Sequence, residues 1–464
     1  MNDKKPFRKV FTENASRKGI GIFVVAILVI SVFAAMSPTA SAATQEEIDN
    51  AIDDGIAWLV AQQDSETGSW EDVPRTGFVL IKLQDRAYEL GKDPFETNPA
   101  EPDYYEYATN VIDGWEYLFT AGAPYVGQYA WKQTITDPQP HGNADTNENG
   151  YGISFQNSGY NTGICLMALA ATRAPDRAND GGLDYDGDGN PETYGEIAQD
   201  VVDWLAMAQV DSGNQEGAWG YGPNSGGDNS VSGYAVLGLA AADGFGCTVP
   251  QWVKDELDIW INYIQCTTPG ADYGGSGYTS PCYWVNELKT GNLIFQMTFY
   301  GDDPTASRFQ DAMGYIENHW QDPNLAPGWG YGQPAPAHYQ AMYCLMKGLE
   351  YSGIDLVDLD GDGTPEHDWY EEFATVLLAQ QNGDGSWPSS PCYVWPDGSW
   401  GAMSGEVLST IWALHTLEKV APPPPPPPAA PVPAITPIGL IALVGLLSVI
   451  AAMSIRTSIR KKRR

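Results

Sequence analysis

The chain has 464 residues, 43% of them hydrophobic and 12% aromatic, with 59 acidic against 24 basic side chains and a formal net charge of −35. That length and apolar content suffice for a large buried core. The acidity repels nucleic acid and anionic lipid surfaces and excludes both as partners of the main body.

The first elements concern address. Residues 1–18 carry Lys4, Lys5, Arg8, Lys9, Arg17 and Lys18, and residues 19–36 are free of charge. Ala40-Ser41-Ala42 then offers a small-residue cleavage pattern, so residues 1–42 read as a signal peptide. The same apolar run is long enough to serve as an uncleaved anchor.

From residue 48 to 419 one cassette recurs six times: an amphipathic helix, a glycine–aromatic turn, and a second, almost wholly apolar helix. The turns are Gly68-Ser69-Trp70, Gly150-Tyr151-Gly152, Gly217-Ala218-Trp219, Gly277-Tyr278, Gly328-Trp329 and Gly385-Ser386-Trp387. In the first cassette Ile48, Ile52, Ile56 and Leu59 share one face, and Thr44 with Glu47 makes a capping box. Cassette three repeats the stripe with Ile197, Val201, Trp204, Leu205 and Ala208, and cassette four with Val253, Leu257, Trp260, Ile261 and Ile264. Second helices such as the one through Thr162, Ile164, Cys165, Leu166, Met167 and Leu169 are apolar all round and predict burial on every side.

A one-stripe helix paired with an all-round apolar helix implies an outer and an inner layer. Helices over 48–61, 197–209, 254–265, 308–320 and 369–381 are expected outside, and those over 161–172, 232–242 and 404–417 inside. One pair cannot bury its own apolar face, so pairs must stack. Periodicity alone leaves a closed ring and an open solenoid equally available.

Gln62 and Gln63 before Gly68-Ser69-Trp70, Gln209 before Gly217-Ala218-Trp219, and Gln380 and Gln381 before Asp384-Gly385-Ser386-Trp387 resemble the QW repeat. This repeat belongs to the prenyltransferase/squalene-oxidase family, within the superfamily of terpenoid cyclases and protein prenyltransferase β-subunits. The resemblance implies an all-α (α/α)6 toroid over residues 43–420. It says little about activity, because fold does not carry function. Cassettes two and four have degenerate turns, and cassette five has His319, Trp320 and Gln321 in an altered frame.

Two acidic loops are near copies: Asp184, Asp186, Asp188, Asn190 and Glu192 alternate in one, and Asp358, Asp360, Asp362, Thr364 and Glu366 in the other. Oxygens at positions 1, 3, 5, 7 and 9 with Gly at 6 form a hard ligand set suited to Ca²⁺, so two calcium sites are expected. Position 12 holds Gly195 and Trp369 instead of Glu, leaving Glu196, Glu371, Glu372 or water to close the shell. A third stretch, Asp145, Asn147 and Asn149, has the first three oxygens without the rest. The two full loops follow Cys165-Leu166-Met167 and Cys344-Leu345-Met346, so cassettes 1–3 and 4–6 read as two halves of a doubled unit. The loops then belong on opposite sides of a ring.

Six cysteines fit an exported protein. Cys247 with Cys266 is the first expected disulfide, and Cys282 with Cys392, each in Ser-Pro-Cys-Tyr, a second. Cys165 and Cys344 sit mid-helix and read as small buried hydrophobes.

For chemistry the chain lacks recognised signatures. There is no Asp-x-Asp-Asp acid for a cyclase. Asp53-Asp54 lies in an outer helix and Asp302-Asp303 in a connection. The five histidines, 141, 319, 338, 367 and 415, lack ligand spacing, so no zinc is expected. Motif tryptophans read as ties between repeats. Tyr283, Trp284, Trp395 and Trp400 lie outside the motif and are candidates for a ligand-binding mouth.

Residues 421–437 form a Pro-rich spacer, extended over the seven prolines at 422–428. Residues 438–455 read as a transmembrane helix and 456–464 as a basic cytoplasmic tail, which puts the repeats outside. This end resembles the sorting tails of exosortase- and archaeosortase-type systems. Between residues 43 and 437 the chain carries 12 basic and 57 acidic groups, a net of −45. The reading is therefore a calcium-binding toroid anchored to the outer face of the cell membrane, a binding or structural module whose partner is an envelope glycan or surface protein. The alternative is an extracellular enzyme on the same scaffold, an envelope-glycan hydrolase or lyase, or less plausibly a terpenoid cyclase.

Overall fold

The structure, a computed structural model, is described over residues 43–120, 129–135, 141–322, 325, 327–330, 336–394 and 400–419. The expected signal peptide and transmembrane helix, with the Pro-rich and basic stretches, lie outside these residues. No helix among the described residues is long and apolar enough to cross a membrane.

Twelve helices among the described residues alternate between two layers. The outer ones are α1 (Gln45–Ala61), α3 (Ala108–Phe119), α5 (Tyr194–Ala208), α7 (Gln251–Ile264), α9 (Ser307–His319) and α11 (Trp369–Gln380). The inner ones are α2 (Val73–Glu89), α4 (Gly159–Ala171), α6 (Asn229–Phe245), α8 (Glu287–Tyr300), α10 (Tyr339–Tyr351) and α12 (Gly405–Glu418). Outer helices bury one stripe, as Ile48, Ile52, Ile56 and Leu59 do in α1. Inner helices are buried along almost their whole length. The expected capping box forms: the Glu47 amide donates to Thr44 Oγ1 and the Thr44 amide to Glu47 Oε2. Such a cap contributes about 1 kcal/mol.

Each inner helix packs on the next, α2 on α4, α4 on α6, α6 on α8, α8 on α10 and α10 on α12, and α12 returns to α2. Helix α1 touches both α11 and α12. The six pairs therefore close into a ring and do not run on as a solenoid. Glycines set the tightest crossings: a Cβ on Gly163 would lie 2.3 Å from the Tyr234 carbonyl, and one on Gly291 2.7 Å from that of Cys344. The doubled unit is visible here, since Gly77 faces Cys165 as Gly291 faces Cys344.

The turns are held by one repeated device. Gln63 Nε2 donates to the Gly68 carbonyl at 2.8 Å and, on the next outer helix, to that of Asn110 at 3.0 Å. Gln209 bridges Gly217 and Val253, Gln265 bridges Gly274 and Arg308, and Gln381 bridges Gly385 and Ala51 in the same way. The glycine between them has positive φ and sits against the following outer helix, where only hydrogen fits. Trp70, Trp219 and Trp387 send Nε1 back to the carbonyls of Leu59, Leu205 and Leu377 in their own outer helices. Each of these indoles is fully buried, worth roughly 1.5–3 kcal/mol apiece for the burial.

This device moves two turn assignments. In cassette four the docking glycine is Gly274 and not Gly277, with Ser276 in the tryptophan's place, its amide bonded to Thr290 Oγ1 as Trp70's is to Thr76 Oγ1. In cassette two Phe155 takes that place, with its amide on Thr162 Oγ1, and Gly152 docks on α5. A smaller side chain in the tryptophan's position hid the register. In cassette five Trp320 stacks on Phe373 at 5.5 Å and turns its Nε1 to Glu372.

The chain is not wholly helical. Among the described residues three antiparallel two-stranded sheets decorate the connections: β1 (Ala130–Thr134) with β2 (Tyr151–Phe155), β3 (Leu356–Val357) with β4 (His367–Asp368), and β5 (Pro391–Val394) with β6 (Trp400–Met403). The disulfides are also corrected. Cys266 pairs with Cys282, while Cys247 is free and buried. Cys247 follows α6 and Cys266 follows α7, so the 14 residues of α7 hold them about 21 Å apart. The expected Cys282–Cys392 bridge is excluded by the same pairing. Cys165 and Cys344 are free and buried, as their mid-helix positions predicted.

Candidate functional site

The axis of the ring is filled. Phe78 of α2 lies with its ring centroid 5.6 Å from Tyr234 of α6, 6.0 Å from Tyr343 of α10 and 5.8 Å from His415 of α12. All four side chains are buried. Beyond this plug, towards the ends of the inner helices, sit buried charges that the sequence reading missed. Lys82 pairs with Glu418, and burial pulls the Lys82 ammonium down to about 7 and that of Lys347 to about 8. Asp85 meets Arg173 at 3.2 Å. Lys82, Glu418 and Asp85 are buried, while Arg173 reaches Asp85 from a half-exposed position.

The calcium-type loops lie at the end where inner helices return to outer ones, the first between α4 and α5, the second between α10 and α11. The two pairs stand three places apart in a ring of six, hence opposite one another. Both loops fold alike. Asp184 accepts from the Gly187 and Gly189 amides at 2.7 and 3.0 Å, and Asp358 from those of Gly361 and Gly363 at 2.8 and 2.7 Å. The four glycines have positive φ, between 72° and 89°. Asp186 accepts from Asp188 and Asp360 from Asp362, which winds each loop around its acidic side chains.

Oxygens of Asp184, Asp186 and Asp188 fall within 4.8 Å of one another, and so do those of Asp358, Asp360, Asp362 and Glu366. The strand pair β3–β4 clamps the ends of the second loop. Glu366 is held above the usual carboxylate range by desolvation and by the charges of Asp360, Asp358 and Asp362.

Glu192 behaves differently from Glu366. It is buried and accepts from the amides of Tyr185 and Asp186 through Oε1, while Oε2 has no partner among the described residues. Asn190 donates its side-chain amide to Asp188, and the Thr364 amide bonds Asp362. Two expected shell closers are committed elsewhere: Glu196 caps α5 through Thr193, and Glu372 holds His367 and Trp320. The clustered carboxylates, three in the first loop and four in the second, could hold a metal ion.

The third stretch is built for another purpose. Asn147 and Asn149 donate to buried Asp200 at 2.7 Å each, and Thr146 donates to buried Asp203 at 3.0 and 2.6 Å. Its side-chain amide nitrogens therefore dock the loop on α5, while the oxygens of Asp145, Asn147 and Asn149 accept from backbone amides of Asn149, Gly150 and Tyr151.

At the opposite end, Tyr283 is half-exposed and Trp284 packs edge-on against Tyr278 at 5.4 Å. Lys289, almost fully buried, places Nζ 4.4 Å from the Trp284 ring centroid, a cation–π contact. Trp395 and the Trp400 side chain lie outside the described residues, so only half of the expected mouth is visible. An open concavity of about 510 Å³ lies elsewhere, between the returns after α2 and α4, lined by Tyr88, Lys92, Asp93, Phe95, Asp103 and Arg177.

No known family profile and no curated protein matches the sequence. Among solved structures the chain is similar to a type II terpene cyclase from Scytonema in its apo form, at 16% identity and a TM-score of 0.43, over 81% of this chain and 98% of that one.

Proposed function

We propose that the protein is a calcium-braced toroid that works as a binding or structural module at the outer face of a membrane, engaging an envelope glycan or surface protein. The observation that carries this reading is the convergence of carboxylates in two matching loops on opposite sides of a ring packed shut along its axis. Two opposed cations would cross-link the returns between inner and outer layers and stiffen the ring without touching a substrate. The segregated charge, basic at both ends and net −45 between them, supports an exported body held by its tail.

The alternative, an extracellular enzyme, calls for a carboxylate pair facing an open, aromatic-lined space. The plug of Phe78, Tyr234, Tyr343 and His415 occupies the place where such a space would lie. Calorimetry of the full-length protein with Ca²⁺ tests the proposal. Two sites are expected, one lost on Asp186→Ala and the other on Asp360→Ala. Absence of binding at millimolar Ca²⁺ would sink it, because even weak extracellular sites bind at roughly 10⁻⁴–10⁻³ M.

A further inference from the structure

Three segments far apart in sequence meet at the turn end of the ring, away from the calcium-type loops. His141 precedes β2, Glu216 belongs to the turn of cassette three, and Glu256 lies on α7. One ligand-capable atom from each falls within 4.8 Å of the others.

The imidazole is oriented by its surroundings. His141 Nε2 lies 2.9 Å from the Asp211 carbonyl oxygen, which can only accept, so Nε2 carries the hydrogen. The other nitrogen, Nδ1, then points its remaining valence at Glu256 Oε1, 3.0 Å away. A ring nitrogen facing carboxylates, with its opposite N–H on a backbone carbonyl, is the arrangement in which histidine ligates metals. The second oxygen of Glu256, Oε2, is buried without a hydrogen-bond partner among the described residues. Glu216 brings a second carboxylate to the same point, and Asp211 adds a third negative charge close by. Among the described residues no Lys or Arg pairs with Glu216 or Glu256.

The fold holds all three segments firmly. Gly217, φ +83°, seats its turn against the Glu256 carbonyl, where a Cβ would approach to 1.8 Å. Gln209 ties the same turn to α7 through Gly217 and Val253. On the other side Gly142 lies flat on Trp252, whose Nε1 donates to the Asn143 carbonyl at 3.1 Å. The site is nonetheless reachable, with the His141 side chain 23% and that of Glu256 13% exposed.

We propose that His141, Glu216 and Glu256 bind a first-row divalent transition-metal ion of the zinc type, leaving coordination positions to water or an external ligand. One imidazole with two carboxylates suits zinc, cobalt or manganese better than calcium, which takes oxygen alone. Three protein ligands with an open position is the pattern of a reactive or ligand-accepting centre, not of a closed structural one. The sequence reading expected no zinc. Short ligand spacing is absent because these three residues come from separate segments of the chain.

The test uses Co²⁺ as probe on chelator-stripped, full-length protein, in millimolar Ca²⁺ so that the oxygen-only loops are occupied. Calorimetry and visible absorption should report one Co²⁺ per chain, displaced by Zn²⁺. Binding should persist in the Asp186→Ala/Asp360→Ala double variant and weaken about tenfold or more in His141→Gln and Glu216→Gln. Should His141→Gln fail to fold, Glu216→Gln, on a turn pinned by Gly217 and Gln209, decides the matter. Co²⁺ binding that is absent in the parent, or unchanged in the folded variants, overturns the proposal.

Discussion

The side-chain amide of Gln381 donates to the backbone carbonyl of Ala51 at 2.8 Å, joining residues 330 positions apart. The same amide also holds the Gly385 carbonyl of its own turn. It makes in the last cassette the bond that Gln63, Gln209 and Gln265 make to their successors, so the seam of the ring is chemically the same as those three joints.

Gln381→Ala should therefore cost about 1–3 kcal/mol, the price of leaving two partly buried carbonyls without their donor. Gln63→Ala and Gln209→Ala should cost about the same. Denaturant titration of the three variants checks this. A seam variant with no loss, beside clear losses in the other two, would mean that closure adds nothing to stability.

Calcium removal is the second expectation. A cation bound only by the folded state stabilises by mass action, about 2.7 kcal/mol for each site at one hundred times its dissociation constant. EDTA should lower the melting temperature of the parent protein, and added Ca²⁺ should restore it. The Asp186→Ala/Asp360→Ala double variant should melt alike with and without chelator.

Asp200 and Asp203 set a pH dependence. Burial pushes the Asp200 carboxyl up to about 7 and Asp203 to about 6, against the opposing hydrogen bonds from Asn147, Asn149, Thr146 and Gln199. The charges of Asp203 and Glu192 raise Asp200 further, and Asp145 adds to Asp203. Between about pH 4 and pH 7 the folded protein thus keeps protons that the unfolded chain has released. The stability they confer is complete below about pH 4 and disappears as pH rises through 6 and 7. Asp200→Asn keeps an acceptor for the two asparagines and removes the titration. Relative to the parent, its stability should rise by a few kcal/mol, in order of magnitude, from about pH 5 to pH 8. A difference between the two that stays flat with pH would refute the assignment.

Phe78 anchors the axial plug, touching rings from three other inner helices. Phe78→Ala should cost about 3–5 kcal/mol by cavity formation, read by thermal denaturation. The parent should turn over neither squalene nor isoprenoid diphosphates. Product from either, abolished by changing an inward-facing acid, would reverse the non-enzymatic reading.

Much of this fold could be read from periodicity. The stripe Ile48, Ile52, Ile56 and Leu59 announces an outer helix because 3.6 residues make a turn, and the unbroken apolar run around Cys165 announces an inner one. The turns were legible where tryptophan marks them and lost where Ser276 or Phe155 replaces it, since the binding partners are backbone carbonyls that any sequence provides. The two acidic loops were legible as clusters because all their carboxylates lie within nine residues. Asp200, Asp203 and Lys82 were hidden in helices whose other residues explain the amphipathic pattern, and the company they keep is long-range. The Cys266–Cys282 bridge spans a turn whose conformation residue spacing does not express.

Because α1 and α12 pack side by side, and α1 starts at the pole where α12 finishes, the ring has no privileged beginning. Joining Lys419 to Thr44 through a short flexible linker and reopening the chain in the 246–250 return would circularly permute the protein while keeping all twelve helices in their neighbourhoods. The cassette order would rotate by three, exchanging the two halves of the doubled unit and moving both free ends to the opposite side of the molecule.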